Sequence, residues 1–173
     1  MKKFIKAETD SLKGNVFDQI GSRWLLITAK DDKAGRYNAM TASWGCMGVL
    51  WNKPVCLLFV RPQRHTFRLM EENEVMSVNI LEDGNRSAYG ICGSKSGRDT
   101  DKIGESGLIP VDIDGVCAFE QSELVLSLRK LYVSDLKEDS FLDKAIPESV
   151  YGTKDFHRVY ICEITGAYIP EQN

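Results

Sequence analysis

Segments with the pattern of β-strands recur along this chain of 173 residues, and they constrain its fold more than any other feature. In "ELVLSLRKLYVSDL", Leu124, Leu126 and Leu128 fall on one face of an extended chain. Val125 and Ser127 fall on the other face, which is typical of a half-buried antiparallel strand. Six further segments are short, apolar or alternating: "RWLLITAK", "NAMTASWG", "VCLLFV", "VMSVNIL", "GVCAFE" and "RVYICEITGAYI".

Turns separate these segments, and helices fit in only a few places. "DDKAGRYN", Asp83-Gly84 and Asp114-Gly115 read as turns, the last suited to a tight hairpin. We expect short helices at "FRLMEENE", capped by Thr66, at "NRSAYGIC", at "DTDKIGES", capped by Asp99 or Thr100, and at "SFLDKAI". Many strands without regular helix alternation predict a mainly β, closed or partly closed antiparallel barrel rather than a doubly wound parallel sheet.

The composition predicts an ordinary globular protein with a local positive site. The chain is 43% hydrophobic and 27% charged, with a formal net charge of -3 and no linker or repeat, so we expect a single domain over residues 1–173. A nucleic-acid partner and a membrane span are not indicated, because there is neither a long basic block nor an apolar run of about 18 residues. The N-terminus lacks the apolar region of a signal peptide, so the expected compartment is the cytoplasm.

Five cysteines are widely spaced, without a C-x-x-C pair, and predict neither a disulfide framework nor a metal site. Four of them lie beside apolar residues and fit small buried side chains. Cys92 has a second interpretation, as an activated thiol beside "GSKSGR", because nearby positive charge lowers a thiol pKa.

The segment "RPQRHTFR" places three arginines and a histidine directly after an apolar strand. Arg61 and Arg64 carry guanidinium groups, and Thr66 is expected to begin a helix whose first N–H groups have no internal partner. These groups favour phosphate. A solvated turn is the alternative.

A second basic segment, "CGSKSGRDTDK", surrounds Gly93 and Gly97 with hydroxyl and cationic side chains. Glycines let backbone N–H groups turn toward an anion. A flexible loop with lysines in water is the alternative, but the two segments together hold six of the 22 lysines and arginines of an acidic protein. We therefore predict a phosphate-bearing ligand, although neither segment matches a P-loop or a Rossmann motif.

The third segment, "NAMTASWG", combines small residues, hydroxyls and a tryptophan. If it forms one strand, Met40, Ala42 and Trp44 share a face, and Thr41 and Ser43 share the other. Such a strand lets a planar ring lie close to the backbone. A core strand whose hydroxyls bond the backbone explains the same pattern.

"NAMTASWG", "LWNKPVCLLFVRPQRHT", "CGSKSGRDTDK" and "YGTKDFHRVYICEI", in this order, resemble the flavin reductase family, including flavoredoxin-like proteins. The resemblance runs from about Gly21 to Ile164. It implies an FMN-binding antiparallel split β-barrel, usually a homodimer with FMN near the subunit interface.

The resemblance also implies roles for individual residues. Residues of "MTASW" would lie along the isoalloxazine ring: Met40, Thr41, Ala42, Ser43 and Trp44. Arg61, Arg64 and Thr66 would hold the phosphate and ribityl chain. Residues of the second basic segment would close over the cofactor: Cys92, Gly93, Ser94, Lys95, Ser96 and Lys102. His157 matches a histidine near the flavin face where nicotinamide docks, a catalytic position, although a structural or surface imidazole is the alternative for both His157 and His65.

Three functions remain open from the sequence. The first is an NAD(P)H:FMN oxidoreductase, in which the cofactor carries the redox chemistry and the protein positions it. The second is a flavoredoxin-like electron carrier reduced by a partner protein. The third is an anion-binding domain without flavin.

Overall fold

The computed structural model describes residues 2–171 and is built on an eight-stranded antiparallel sheet with a separate two-stranded hairpin. The strands are β1 (Phe4–Ala7), β2 (Leu25–Asp31), β3 (Arg36–Ala42), β4 (Gly45–Leu50), β5 (Lys53–Val60), β6 (Val75–Leu81), β7 (Pro110–Ile113), β8 (Val116–Phe119), β9 (Ser122–Asp135) and β10 (Arg158–Pro170). The helices are α1 (His65–Glu72), α2 (Arg86–Ser94), α3 (Lys102–Ser106) and α4 (Ala145–Val150), with a π-helical turn at Asp18–Arg23 and 3₁₀ turns at Thr9–Ser11 and Glu138–Ser140.

The strand order β3-β2-β6-β9-β10-β5-β4, with β1 added beside β10, describes a barrel that is open at one place. β3 and β4 end this order and follow each other in the chain, joined only by Ser43 and Trp44. β3 and β4 are not paired with each other among the described residues, and we call the gap between these two end strands the split of the barrel. The predicted fold class, a mainly β antiparallel split barrel, is confirmed.

The inside of the barrel is one apolar cluster to which most strands contribute. Ile27 of β2, Met40 of β3, Leu58 of β5, Leu126 of β9 and Cys162 of β10 all belong to it. Each fully buried large apolar side chain contributes roughly 1.5–3 kcal/mol relative to an exposed one. This core holds β3 and β5, the two strands that lead into the site described below.

A second cluster holds helix α2 against the outer face of β2 and β3. Leu26 and Ala39 contact the helix side chains Tyr89 and Cys92, and Phe119 of β8 closes the cluster. Consequently the C-terminal end of α2 lies beside the end of β3.

The interpretation of β9 as half-buried holds for only part of the strand. Leu124, Leu126 and Leu128 face the barrel interior as predicted. Val125 on the opposite face is also fully buried, because it packs with Ala118 of the β7-β8 hairpin. The tip of that hairpin is Asp114-Gly115, with φ of 51° and 81°, so the predicted tight turn is confirmed.

The helix predictions were right in position for α1 to α3 and wrong in their ends. Thr66 does not cap α1; Arg64 is the N-cap residue, and the Thr66 hydroxyl accepts a hydrogen bond from Asn38 Nδ2 at 2.8 Å. For α3 the cap is Asp101, whose carboxylate accepts from the Gly104 backbone N–H at 3.3 Å. "NRSAYGIC" corresponds to α2, which begins one residue later, at Arg86, and continues to Ser94.

Two further predictions were wrong. "SFLDKAI" is not a helix as a whole, since α4 begins only at Ala145. "NAMTASWG" is not one strand, since β3 ends at Ala42 and Trp44 therefore does not share a strand face with Met40. Within residues 2–171, none of the helices has both the length and the apolar character needed to cross a membrane.

Candidate functional site

A cleft of about 260 Å³ opens at the split of the barrel, where β3 ends and β5 leads into α1. It is lined by Met40, Thr41, Ala42, Ser43, Trp44, Phe59, Arg61, Arg64 and His157. The structure therefore brings together three of the segments singled out in the sequence, although about 90 residues separate Arg64 from His157.

Residues 40–44 line the cleft because the strand ends among them. Met40 points into the barrel core and is 5% exposed, while the Thr41 hydroxyl donates to the Tyr89 carbonyl of α2 at 2.6 Å. Ser43 and Trp44 lie beyond the strand and are exposed. The result is a shallow wall of small side chains, closed at one end by an indole ring.

Arg64 extends from the turn before α1 toward the C-terminal end of α2. Its guanidinium donates to the Gly93 carbonyl at 2.8 Å and to the Cys92 carbonyl at 3.4 Å. Lys102 Nζ donates to the same Cys92 carbonyl at 3.2 Å, and Lys102 is only 4% exposed. Two cations thus meet at one carbonyl oxygen.

Among the residues that the structure describes, neither Arg64 nor Lys102 pairs with a carboxylate. Burial, with a smaller contribution from the charge of Arg64, lowers the pKa of Lys102 to about 8, and burial also lowers the pKa of Arg64. Both shifts have the direction expected for cations that lack an anionic partner. The positive charge here is uncompensated within the described chain.

Two other predicted cations are compensated. Arg61 forms an ion pair with Asp155 and donates to the Val150 carbonyl at 3.1 Å. Lys95 forms an ion pair with Glu105. The guanidinium of Arg61 holds the pKa of the Asp155 carboxyl well below its usual range.

The loop between α2 and α3 contacts the turn before α1. Arg98 donates to the Gln63 carbonyl at 3.3 Å, next to the contact of Arg64 with Gly93. Gly97 packs so closely that a Cβ atom there would lie 2.0 Å from Asn38 Oδ1. The two basic segments therefore converge, which a single phosphate-bearing ligand held by both would require.

Several predicted residues lie behind the cleft rather than along it. Ser94 donates to the Gly90 carbonyl at 2.8 Å, and Ser96 Oγ accepts from the Arg98 N–H at 3.3 Å. Thr66 is buried against Asn38. None of the predicted contacts in residues 92–102, nor Thr66, lines the cleft.

The structure does not agree with the interpretation of Cys92 as an activated thiol. Cys56, Cys92, Cys117 and Cys162 are buried, and Cys46 is exposed. Burial raises the pKa of the Cys92 thiol despite the opposing charge of Lys102, so this thiol is protonated rather than activated.

His157 is the imidazole of the cleft. Its Nδ1 lies 2.7 Å from Tyr151 Oη, and its ring centroid lies 5.2 Å from that of Trp44. Burial first and the charge of Arg61 second lower the pKa of His157 to about 4, against the opposing effect of Asp155. The imidazole is therefore neutral at physiological pH.

His65, the other histidine, has a structural contact outside the cleft lining. Its Nε2 lies 3.0 Å from the carboxylate of Asp31, and both side chains are buried. The structural interpretation of His65 agrees with this arrangement.

Sequence reasoning missed three residues of the site. Phe59 lines the cleft but stands in "VCLLFV", which looks like an ordinary buried strand. Tyr151 and Asp155 both lie in "YGTKDFH", six and two residues before His157, a spacing that does not show which side chains meet. The net acidity of the chain was the one available signal that Arg61 has a carboxylate partner.

A larger apolar groove, of about 750 Å³, adjoins the cleft and shares Ser43, Trp44 and Phe59 with it. Val16, Ile20 and Ile146 are among its other lining residues. Phe17 stands at its edge with 84% of its surface exposed.

The fold, with its cleft at the split, is that of the flavin reductase-like split barrels. The family model described as flavin reductase like domain matches residues 17–173, so this chain belongs to that family. The resemblance found in the sequence is thereby confirmed. A comparison with curated proteins gives no match.

Three solved structures illustrate the similarity of fold. An FMN-binding domain of a flavin reductases-like enzyme from Shewanella baltica OS155 superposes with a TM-score of 0.69 at 14% identity, over 97% of this chain and 78% of that one. Flavoredoxin from Methanosarcina acetivorans has a TM-score of 0.67 at 24% identity, over 96% and 77%. The NADH:FAD oxidoreductase of Streptomyces globisporus has a TM-score of 0.64 at 14% identity, over 86% and 76%.

Proposed function

We propose that this protein is an NAD(P)H:FMN oxidoreductase that binds FMN in the cleft and passes a hydride from the nicotinamide nucleotide to the flavin. One observation carries this proposal. The small side chains of residues 41–43, flanked by Met40 and Trp44, lie beside Arg64. Arg64 and Lys102 donate to one carbonyl, and neither cation pairs with a carboxylate within residues 2–171. A ligand with a flat aromatic ring and a phosphate requires both features, small side chains beside the ring and unpaired cations at the phosphate.

The residues present fit FMN. The isoalloxazine ring would lie along Met40, Thr41, Ala42, Ser43 and Trp44, the last of which provides apolar cover. The larger groove shares Ser43, Trp44 and Phe59 with the cleft, so a ring longer than the cleft would extend toward the groove.

The phosphate would bind at Arg64, with Lys102 adding charge from behind it. Charge-assisted hydrogen bonds from guanidinium to phosphate are among the stronger ones in proteins. The backbone N–H groups of Cys92, Gly93 and Ser94 belong to the last turn of α2, and the Lys95 N–H donates to the Ile91 carbonyl. Closure over this end would therefore come from the side chains of Ser94, Lys95 and Ser96 after a small rearrangement. Arg61 and Thr66, which have partners within the protein, would contribute less than the sequence suggested.

When bound, FMN supplies the hydride acceptor, so no acid or base from the chain is obligatory. The chain binds, orients and excludes water. Trp44 and Phe59 cover the apolar edge of the cleft, and His157 presents a neutral imidazole where a nicotinamide would approach.

A homodimer is part of the proposal. The apolar groove next to the cleft and the exposed Phe17 and Trp44 together form a surface suited to a second copy of the chain. Such a dimer would place the partner beside the cofactor. Cytoplasmic location and one domain over residues 1–173 remain predictions.

An absorption spectrum of the purified, FMN-loaded protein tests the proposal. We expect flavin bands that bleach within minutes when NADH or NADPH is added without oxygen. Free FMN at the same concentration is the control for non-enzymatic reduction. A protein that takes up no added FMN contradicts the cofactor assignment and returns the domain to a simple anion-binding role.

A second candidate is an electron carrier similar to flavoredoxin. Trp44, at the mouth of the cleft, is 50% exposed, so a partner protein could approach a bound flavin closely enough for electron transfer. Flavin that stays oxidised with NAD(P)H but is reduced by dithionite or a ferredoxin-like donor favours this candidate over the reductase.

A further inference from the structure

Tyr151 occupies a fixed position next to the cleft. It follows α4, where its backbone N–H donates to the Pro147 carbonyl at 3.0 Å. Its ring centroid lies 4.7 Å from that of Phe156, and the Arg61 guanidinium lies 5.2 Å from the centroid. Since the side chain is only 5% exposed, the hydroxyl has little freedom to move.

The Tyr151 hydroxyl has one hydrogen-bond partner among residues 2–171, His157 Nδ1 at 2.7 Å. Burial raises the pKa of Tyr151, so the hydroxyl keeps its proton. If His157 carried its proton on Nδ1, the hydroxyl would have to accept, and its own proton would have no acceptor within the described chain. A donating hydroxyl satisfies both groups, because neutral imidazole has one donor and one acceptor nitrogen.

Because Nδ1 accepts the hydrogen bond from Tyr151, the single proton of the neutral imidazole lies on Nε2. His157 lines the cleft, and within residues 2–171 no acceptor lies in hydrogen-bonding distance of Nε2. The neighbouring ring of Trp44 and the ion pair of Arg61 with Asp155 limit how the imidazole can turn. The free N–H is therefore available to a group in the cleft.

We propose that Tyr151 is a positioning residue that holds neutral His157 in its Nε2–H tautomer, so that His157 donates a hydrogen bond to a carbonyl or carboxamide oxygen bound in the cleft. Flavin and nicotinamide both carry such oxygens. Only the identity of this oxygen rests on the proposed function. The tautomer itself is a property of the chain without any ligand.

Nitrogen-15 NMR of the imidazoles tests the tautomer directly in the full-length protein without flavin. The chain has two histidines, so the spectrum contains two imidazoles, and His157→Gln assigns them. At about pH 7 we expect His157 with Nδ1 unprotonated and Nε2 protonated. A wild-type spectrum with the proton on Nδ1 overturns the proposal.

Tyr151→Phe keeps the packed ring and removes the hydroxyl. We expect the two His157 tautomers to become mixed, and hydride transfer at saturating NAD(P)H to slow by about fivefold, as for one lost hydrogen bond of about 1 kcal/mol. Tyr132→Phe is the matched control, since Tyr132 is exposed on β9 and lines neither the cleft nor the adjoining groove. An unchanged His157 tautomer in Tyr151→Phe overturns the role of Tyr151.

The two proposals can fail separately. Protein that binds no flavin but shows the expected tautomers contradicts the proposed function and leaves the positioning of His157 by Tyr151 in place. Protein that is an active reductase with His157 protonated on Nδ1 contradicts the positioning alone.

Discussion

Arg61 and Arg64 stand three residues apart in one turn, and both line the cleft, yet their surroundings differ. Arg61 is paired with Asp155 and lies over the Tyr151 ring. Arg64 contacts only carbonyl groups at the end of α2, together with Lys102. The comparison teaches that two arginines of one turn can differ in charge compensation. Arg61 is neutralised by a carboxylate near His157, whereas Arg64 has no carboxylate partner among the described residues, which is why we propose Arg64 for the anion.

The largest expected effect follows from replacing Arg64, a cation without a carboxylate partner among the described residues. Arg64→Ala should weaken FMN binding by about 10- to 100-fold, since a hydrogen bond to a charged group contributes about 1.5–3 kcal/mol. Flavin fluorescence titration measures this affinity. Lys95→Ala removes an exposed lysine that is already paired, and should cost less than about threefold. Equal losses in both variants would mean that Lys95 contributes as much to FMN binding as Arg64, and would contradict Arg64 as the main phosphate contact.

The next prediction concerns His157, which lies near Arg61, and the pH dependence of the free energy of unfolding. The folded pKa of His157 is about 4 and its ordinary value is 6.5, so between these values the unfolded chain binds the proton more readily. Lowering the pH from about 7 to 4 should therefore destabilise the fold through His157 by up to about 2 kcal/mol. Urea unfolding at several pH values measures this, and His157→Gln should flatten this part of the profile. A slope identical in both proteins contradicts the assignment.

Lys102 should make FMN affinity depend on pH. Its pKa of about 8 means that it loses its proton as the pH rises from about 7 to 10, while the phosphate keeps both charges. Affinity should fall by about tenfold over this range, which corresponds to about 1.4 kcal/mol. Lys102→Met should bind more weakly at pH 7 and show a flatter profile in the same titration. Parallel profiles would show that Lys102 does not act on the ligand.

The smallest effect on binding should come from the compensated arginine. Arg61→Ala should change FMN affinity by less than about threefold but lower the melting temperature by about 2–4 °C, as for a loss of about 1 kcal/mol in a chain of this size. Differential scanning fluorimetry without flavin measures the second quantity. A loss of affinity as large as that of Arg64→Ala would remove the distinction between the two arginines.

Much of the fold was predictable because its signals are local. Alternating leucines in β9, the Asp114-Gly115 turn and the apolar run of β5 each predict their own element, and these agree with one another. The wrong predictions concerned the residues at which helices and strands begin or end. The break after Ala42 was missed because Ser43 and Trp44 are compatible with a strand. Only the pairing of β3 with β2 and of β4 with β5 shows that the chain changes its partner strand there.

The sequence predicted most of the residues that line the cleft but not how the side chains are arranged. Residues 40–44, Arg61, Arg64 and His157 were predicted and line one cleft, whereas Thr66 bonds Asn38 and the predicted contacts of residues 92–102 lie behind it. Tyr151 was missed, because a tyrosine six residues from a histidine has no defined distance to it until α4 and β10 are in place.

The sequence by itself determined the strand pattern, because periodicity is a property of the chain, and it carried the four motifs whose resemblance indicated the family. Only the tertiary structure decided which of the cationic side chains have a carboxylate partner. A carboxylate 94 residues away compensates Arg61, and none of the described residues does so for Arg64. The physical reason is that electrostatic energy depends on distance and burial in space, which no spacing along the chain records.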